Sequence, residues 1–358
     1  MIDQSSEINL LSTESFKATH DGQEVALYTL TNANGCVAQI TNYGARIVAL
    51  CVPDKEGKMR DVVLGFSSIS EYLTTNDKYH GAIIGRYANR IAKGRFILDN
   101  KTYRLALNND TNHLHGGEKG FESRVWSVAQ KQTHKITLTY TSKHLEEGYP
   151  GNLTVQVLYE LTDDNALTIE YKAVTDQNTV VNLTNHAFFN LKGEGNGSIL
   201  DHYMKIPANN FIPVNADLIP TGKLDPVEGT PFDFRNAKRI KDEINSSYEQ
   251  LVIAKGYDHS YVLQNNGQLA FAAEVLEKSS GIQMKVLTDQ PGMQLYTGNF
   301  LDGSSIGKSG QAYQKRDAFC LETQHYPDSP NQDLFPSTIL TPQEEYRSTT
   351  VYKFGIGG

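Results

Sequence analysis

Cysteine is scarce in this sequence of 358 residues, which contains only Cys36, Cys51 and Cys320. None of them belongs to a C-x-x-C pair, and an odd, sparse set predicts neither a disulfide framework nor a zinc knuckle. We therefore expect three reduced thiols in or near the core.

Positive charge is in short supply as well. The chain has 33 Lys and Arg residues against 41 Asp and Glu residues, which gives a formal net charge of −8. Proteins that bind nucleic acid usually present a basic face, so this balance argues against a nucleic-acid partner. It suits a protein that binds a neutral small molecule.

Long apolar runs are also missing. No stretch reaches the roughly 20 apolar residues that a membrane helix requires. Residues 1–10 lack the basic start and apolar run of a signal peptide. We therefore expect no membrane association and a cytoplasmic location. A monomer is the default expectation.

Neither a low-complexity linker nor an internal repeat divides the chain, so we expect one domain over residues 1–358. Hydrophobic residues make up 39% of the sequence and charged residues 21%. This composition is typical of a globular protein with a sizeable core.

Strand patterns dominate the sequence, whereas long stripes of helical period are absent. In 166–173, Leu167, Ile169 and Tyr171 alternate with polar residues, which is typical of a half-buried strand. Similar alternation predicts strands in 135–140, 153–161 and 282–287. Many strands joined by short turns favour an all-β sandwich or barrel.

Three further segments complete this prediction of secondary structure. Short helices are predicted near 69–73 and 238–244. The stretch 206–239 contains five prolines and is the least strand-like part of the chain. We expect it to form a long ordered excursion over the surface.

Four polar clusters lie beside glycines and aromatic residues and are the candidates for chemistry. They occupy 85–91, 112–117, 182–191 and 320–331. The second contains His113 and His115, whose spacing on a strand would suit a metal pair. A third ligand is lacking and two glycines follow, so a turn is the better interpretation and no metal site is expected.

The other charged groups in these clusters each have an ordinary structural interpretation. His186 is more simply a hydrogen-bonded core histidine. Glu322 follows an apolar run, so it is equally a solvated strand terminus or a functional group at a cleft mouth. Arg86 and Arg90 would ordinarily be surface charges. Composition and spacing alone therefore indicate a β-rich enzyme or a sugar-binding module.

Taken together, the motifs resemble the galactose mutarotase (aldose 1-epimerase) family over about residues 15–353. Besides the four clusters, the resemblance includes the segments 40–45, 61–66, 148–153, 256–259 and 291–299. It implies an all-β protein with the β-supersandwich fold of the galactose mutarotase type and a site in an open cleft. It also implies a free hexose as substrate, without a metal or other cofactor.

The resemblance assigns roles to individual residues by their motifs. His186, in the Thr-Asn-His segment, matches the general acid of the family, and Glu322, in Leu-Glu-Thr-Gln, matches its general base. The positions that match the sugar-binding residues of the family are Asn89, Arg90, His115, Asp258 and Gln294. One departure is Phe188, where relatives often have tyrosine; its ring would still cover the apolar face of a pyranose.

These groups fit the interconversion of sugar anomers. Ring opening removes the proton of the O1 hydroxyl, which suits Glu322, and adds a proton to the ring oxygen, which suits His186. A glycoside hydrolase, a non-catalytic sugar-binding module and a relative acting on a sugar phosphate are the rival interpretations. No residue type in the sequence distinguishes galactose from glucose.

Overall fold

Antiparallel β-structure makes up most of the protein, which we describe from a computed structural model covering residues 10–358. The residues on which the signal-peptide expectation rests lie almost wholly outside this range. The described strands are β1 (Ala18–His20), β2 (Gln23–Val25), β3 (Leu27–Thr31), β4 (Val37–Thr41), β5 (Arg46–Pro53), β6 (Met59–Asp61), β7 (Ile83–Ile84), β8 (Arg90–Ile91), β9 (Arg95–Leu98), β10 (Lys101–Arg104), β11 (His113–Leu114), β12 (Ser127–Lys131), β13 (Lys135–Ser142), β14 (Leu153–Leu161), β15 (Ala166–Thr175), β16 (Thr179–Val180), β17 (Thr184–Asn185), β18 (Tyr203–Lys205), β19 (Asn210–Phe211), β20 (Asp225–Pro226), β21 (Lys238–Arg239), β22 (Asp258–Val262), β23 (Ala270–Leu276), β24 (Ile282–Thr288), β25 (Gly292–Tyr296), β26 (Cys320–Gln324), β27 (Ile339–Leu340) and β28 (Tyr346–Ile356).

Helical structure is limited to short segments. Two α-helices occur in the described residues, α1 (Ile69–Thr74) and α2 (Glu249–Ile253). The 3₁₀ segments are Thr13–Phe16, Ala92–Gly94, Phe121–Ser123, Glu146–Gly148, Ile240–Asp242 and Ser329–Asn331. No helix in the described part of the chain is long and apolar enough to cross a membrane.

Three larger sheets organise the molecule. A nine-stranded sheet has the order β12-β13-β14-β15-β28-β24-β23-β18-β21, a five-stranded sheet has the order β20-β19-β22-β25-β26, and a four-stranded sheet has the order β3-β4-β5-β6. The Tyr352 hydroxyl of β28 donates to the Leu321 carbonyl of β26 at 3.0 Å, so the first two sheets lie against each other. The all-β prediction is confirmed.

The predicted strands formed where the alternation was strongest. In β14, residues of alternating position are buried along the whole strand, and β15 buries Leu167, Ile169 and Tyr171 while Glu170 and Lys172 are half-buried. One face of such a strand packs on the core while the other meets water. The three cysteines are buried and unbridged, as predicted.

Helix α1 confirms the prediction near 69–73. The Ser68 side chain accepts from the Glu71 N–H, and the Glu71 carboxylate accepts from the Ser68 hydroxyl at 2.9 Å. These bonds stabilise the first turn of the helix. The predicted helix at 238–244 is wrong, because β21 pairs with β18 and only Ile240–Asp242 forms a 3₁₀ turn.

The prediction that 206–239 runs over the surface is also wrong. Phe211, Phe232 and Phe234 in this stretch are fully buried, and the rings of Phe211 and Phe232 stack with centroids 4.1 Å apart. Burying an aromatic side chain removes a large apolar area from water. The prolines therefore shape turns within a segment whose aromatic residues belong to the core.

Candidate active site

One face of the five-stranded sheet carries a row of polar side chains. In the antiparallel register of β22, β25 and β26, Gln294 lies opposite Glu322, and Tyr296 lies opposite both Asp258 and Cys320. Alternate residues of a strand point to the same side of the sheet, so these five side chains share one face. Their neighbours in sequence point into the core.

Loops between short strands supply the opposite wall. Strands β8 and β11 pair, with Arg90 opposite Leu114, which brings the Asn89–Arg90 segment beside His115. His186 follows β17, donates its backbone N–H to Ala82 O and accepts at its own carbonyl from the Gly81 N–H, both at 2.9 Å. The ring of His186 is therefore held above the sheet by backbone pairing.

A glycine is required where the wall turns. Gly116, directly after His115, has φ +88°, and a Cβ atom there would lie 1.8 Å from the Gly85 carbonyl oxygen. Only glycine adopts this conformation without a steric penalty, and no side chain fits against the neighbouring backbone. The turn that the sequence predicted after His115 is thus confirmed.

The two walls enclose a cleft of about 770 Å³, including its open mouth. The lining residues are Asn76, Asp77, Tyr79, His80, Asn89, Arg90, Leu114, His115, His186, Phe188, Asp258, Tyr296, Phe300, Leu301 and Glu322. Seven of the eight residues identified from the sequence line this cleft, and Gln294 lies beside it, bonded to Asp258.

His186 and Glu322 face each other in the cleft. His186 Nε2 lies 3.5 Å from Glu322 Oε1, and the other carboxyl oxygen, Oε2, is buried without a hydrogen-bond partner. Burial, with the nearby charge of Asp258, raises the pKa of Glu322 well above its ordinary value. Burial lowers the pKa of His186 to about 4. Both shifts disfavour charge, because burial penalises the ionised form of each group.

The tautomer of His115 is set by the backbone. Its Nδ1 accepts a hydrogen bond from the Asn89 N–H at 3.1 Å. The neutral ring must then carry its proton on Nε2, which makes Nε2–H a donor. Burial and the neighbouring His186 lower the pKa of His115 well below its ordinary value, so this donor is uncharged.

This tautomer bears on metal binding. One ligand atom each from His115, His186 and Glu322 lies within 4.8 Å of the others. A histidine ligates through an unprotonated nitrogen, and His115 would have to break its bond with Asn89 to offer Nε2. The triad is therefore better suited to hydrogen bonding than to holding a metal ion.

His113 is not part of the site. Its Nδ1 lies 2.8 Å from the Ala106 carbonyl and its Nε2 lies 2.6 Å from the Tyr149 hydroxyl. Both ring nitrogens are occupied away from the cleft, so His113 and His115 do not act as a metal pair.

A charged network closes one end of the cleft. Asp258 Oδ1 accepts from Gln294 Nε2 at 2.7 Å, and Asp258 Oδ2 lies 4.0 Å from Arg90 Nη1. Arg90 Nε donates to Asn109 Oδ1 at 3.0 Å, which fixes the guanidinium. Burial raises the pKa of Asp258, and Arg90 and Gln294 oppose that rise. This end presents hydrogen-bonding groups suited to hydroxyls.

Aromatic rings form the remaining wall. The ring of Phe188 stacks near-parallel on His186, with centroids 4.9 Å apart, and lies 4.3 Å from the ring of His80. Tyr79 and Tyr296 also line the cleft. Such faces suit the apolar C–H side of a sugar ring.

Sequence reasoning missed Tyr79 and His80, which belong to a loop without a strand pattern. His80 is fully buried and neither of its ring nitrogens has a hydrogen-bond partner. The one hint in the sequence was their position, because both residues lie a few residues before the first polar cluster. Tyr296 lay in a motif already singled out, 291–299, but was given no role.

Two structural interpretations of the sequence are wrong. Glu322 is not a solvated strand terminus, since it lies in the middle of β26 and is 2% exposed. Arg86 and Arg90 are not surface charges but are 1% and 8% exposed. Arg86 donates to backbone carbonyls of Pro150 and Gly151 at 2.6 and 2.9 Å, which replaces hydration of the guanidinium.

Comparison with known families and sequences gives one consistent result. The family model described as aldose 1-epimerase matches residues 26–353. Galactose mutarotase from Rattus norvegicus is 46% identical over 317 residues, covering 88% of this chain and 90% of the rat protein. Aldose 1-epimerase from Escherichia coli K12 is 39% identical over 337 residues, covering 93% of this chain and 96% of the bacterial protein.

Solved structures give the same result for the fold. A GalM/aldose epimerase homologue from C. elegans superposes with a TM-score of 0.87 at 31% identity, covering 93% of this chain and all of that one. Galactose 1-epimerase from Lactobacillus acidophilus superposes with a TM-score of 0.83 at 28% identity, covering 96% and 98%. The predicted β-supersandwich of the galactose mutarotase type is confirmed, and this chain belongs to the aldose 1-epimerase family.

Proposed function

We propose that this protein interconverts the α and β anomers of free hexoses such as D-galactose and D-glucose, with Glu322 as general base and His186 as general acid. The observation that supports this proposal most directly is the 3.5 Å approach of His186 Nε2 to Glu322 Oε1 inside the cleft. O1 and the ring oxygen of a pyranose are both bonded to C1. Two groups this close together therefore suit simultaneous proton transfer at both atoms.

The proposed reaction begins with ring opening. The Glu322 carboxylate takes the O1 proton, His186 gives a proton to the ring oxygen, and the C1–O bond of the ring breaks to leave an aldehyde. Rotation about C1–C2 exposes the other face of the aldehyde. The two groups then exchange roles, and the ring closes as the other anomer. Each general acid or base typically contributes about 10²–10⁴-fold.

Sugar binding supplies the charge distribution that this reaction needs. Before sugar binds, burial favours the uncharged forms of Glu322 and His186, with the proton of the pair on the carboxyl. An O1 hydroxyl that donates to Glu322 and a ring oxygen that accepts from His186 both stabilise the charged forms. The single proton of the pair then moves to His186. No nucleophile, metal or redox step is required.

The remaining cleft residues bind the sugar and orient it for the reaction. His115 Nε2–H donates to a sugar oxygen near the reacting centre. Asp258, kept in place by Gln294, accepts from hydroxyls. Arg90 donates hydrogen bonds to sugar hydroxyls. Asn89 offers its side-chain amide N–H groups, because its Oδ1 already accepts from the backbone N–H of Arg90 at 2.8 Å.

Polarimetry on freshly dissolved α-D-galactose and α-D-glucose tests this function. We expect the protein to accelerate the change in rotation toward the same final value that the spontaneous reaction reaches, with no net loss of sugar. A sugar-binding module would leave the rate unchanged. Release of an aglycone from a galactoside at a comparable rate would instead indicate a hydrolase and contradict the proposal.

Removal of metal ions should leave activity unchanged, because the proposed mechanism uses only side-chain protons. The measurement is the mutarotation rate before and after dialysis against a strong chelator. A rate that falls and is restored by one specific divalent ion would overturn the metal-free mechanism.

The substitution Asp258→Asn should move the pH profile of kcat/KM to lower pH. Asp258 raises the pKa of Glu322 by its charge, so its removal makes protonation of the acid–base pair less favourable. The free-enzyme pKa values that govern kcat/KM fall with it. Asp77→Asn is the matched control, since Asp77 lines the same cleft but has no part in the shift of Glu322. A profile that stays in place in the Asp258 variant, or moves equally in both, contradicts the prediction.

A further inference from the structure

The second ring nitrogen of His186 faces a thiol. His186 Nδ1 lies 3.5 Å from Cys320 Sγ. Among the residues that the structure describes, this thiol is the one side chain within hydrogen-bonding reach of Nδ1. Cys320 is fully buried, so water does not compete for the contact.

The same strand carries this thiol and the carboxyl group of the site. Cys320 and Glu322 are two residues apart on β26, and their side chains therefore point to the same side of the sheet. Glu322 approaches Nε2 of the imidazole while Cys320 approaches Nδ1. One strand thus contacts both nitrogens of the same ring.

The imidazolium gives up the proton on Nε2 and keeps the proton on Nδ1, so the neutral ring that remains is the Nδ1–H tautomer. Nδ1 is therefore a donor in both states of the ring and needs an acceptor throughout the reaction. The sulfur of a thiol is a weak acceptor. Burial and the nearby carboxylates raise the pKa of Cys320 well above its ordinary value, so the group remains a thiol.

We propose that Cys320 is a positioning residue for the acid–base reaction: its sulfur accepts from Nδ1–H of His186 and so keeps Nε2 free to exchange a proton with the ring oxygen. This inference rests on the proposed function, because it concerns proton donation by His186. Partners on the second nitrogen of a functional imidazole commonly fix its tautomer in this way.

Kinetics of Cys320→Ala and Cys320→Ser test the proposal. We expect alanine to lower kcat about five- to tenfold with little change in KM, the size expected when one weak hydrogen bond of about 1 kcal/mol is lost. We also expect a displaced limb in the pH profile of kcat/KM. Serine should restore most of kcat, because its hydroxyl oxygen also accepts from Nδ1–H.

Cys36→Ala is the matched control, since Cys36 is equally buried but is not the thiol beside His186, and its backbone N–H bonds to Asn32 Oδ1 instead. It should leave kcat and the pH profile as in the wild type. Equal losses in the Ala and Ser variants of Cys320, with an unmoved pH profile, would show that the thiol only fills space and would overturn the proposal. So would wild-type kinetics in Cys320→Ala.

The tautomer itself provides a readout that does not depend on turnover. Ring-nitrogen chemical shifts of ¹⁵N-histidine-labelled protein, with the His186 signals identified from His186→Asn, report which nitrogen carries the proton. We expect Nδ1–H in the wild type and a mixture of tautomers in Cys320→Ala. An unchanged tautomer in the variant contradicts the proposal, whereas a failure of the wild type to accelerate mutarotation contradicts the proposed function instead.

Discussion

Glu322→Gln should lower kcat for mutarotation by at least about a hundredfold while leaving KM nearly unchanged. The amide keeps the shape of the side chain and much of its hydrogen bonding, but it cannot accept the O1 proton. Loss of a general base typically costs about 10²–10⁴-fold in rate. The measurements are polarimetry for kcat and KM and calorimetric titration for sugar binding.

A buried carboxyl outside the cleft provides the control. Glu122 is 1% exposed and does not line the cleft. Glu122→Gln should therefore retain kcat, so that any loss in the Glu322 variant reports on the site and not on removing a buried carboxyl in general. Retention of more than about a tenth of wild-type kcat in Glu322→Gln would remove this residue from the role of base.

His186→Asn should also lower kcat at least about a hundredfold, with a smaller effect on KM. The interaction lost is the one that strengthens as charge develops on the ring oxygen, so it acts on the transition state more than on the bound sugar. The pH profile of kcat/KM should lose one limb, because only one titrating member of the pair remains. Steady-state polarimetry over a pH series measures both effects.

His202 offers the matched histidine. It is fully buried and its Nε2 accepts from the Leu191 N–H at 3.0 Å, away from the cleft. His202→Asn is expected to retain both limbs of the profile. A sugar complex in which the ring oxygen lies within about 3.2 Å of His115 Nε2 and far from His186 would transfer the role of acid to His115.

Much of the framework could be predicted because alternation along a strand is a local property. Strand β14 was predicted over the residues that form it, since one residue in two is buried along its full length. The positions of His186 and Glu322 followed from short motifs near β17 and β26. Local patterns could not predict that His186 Nε2 and Glu322 Oε1 lie 3.5 Å apart. That distance depends on pairing between segments more than a hundred residues apart.

The errors have physical causes of the same kind. Arg86 reads as a surface charge because its acceptors are carbonyls of a distant turn, Pro150 and Gly151, and not an acidic partner in sequence. The stretch 206–239 reads as a surface loop because its prolines outweigh its aromatics in a propensity argument. Tertiary burial of Phe232 and Phe234 decides the outcome instead.

Strand β26 connects the active site to the buried interior of the protein. On one side it presents Glu322 to the cleft; on the other, the Thr323 hydroxyl bonds to that of Thr350 and the Leu321 carbonyl accepts from Tyr352, both in β28. The position of β28 therefore bears directly on the strand that carries the carboxyl group. Substitutions of Thr350 or Tyr352 should therefore affect turnover as well as folding. We expect these two interior positions to accept fewer replacements than equally buried positions elsewhere in the nine-stranded sheet.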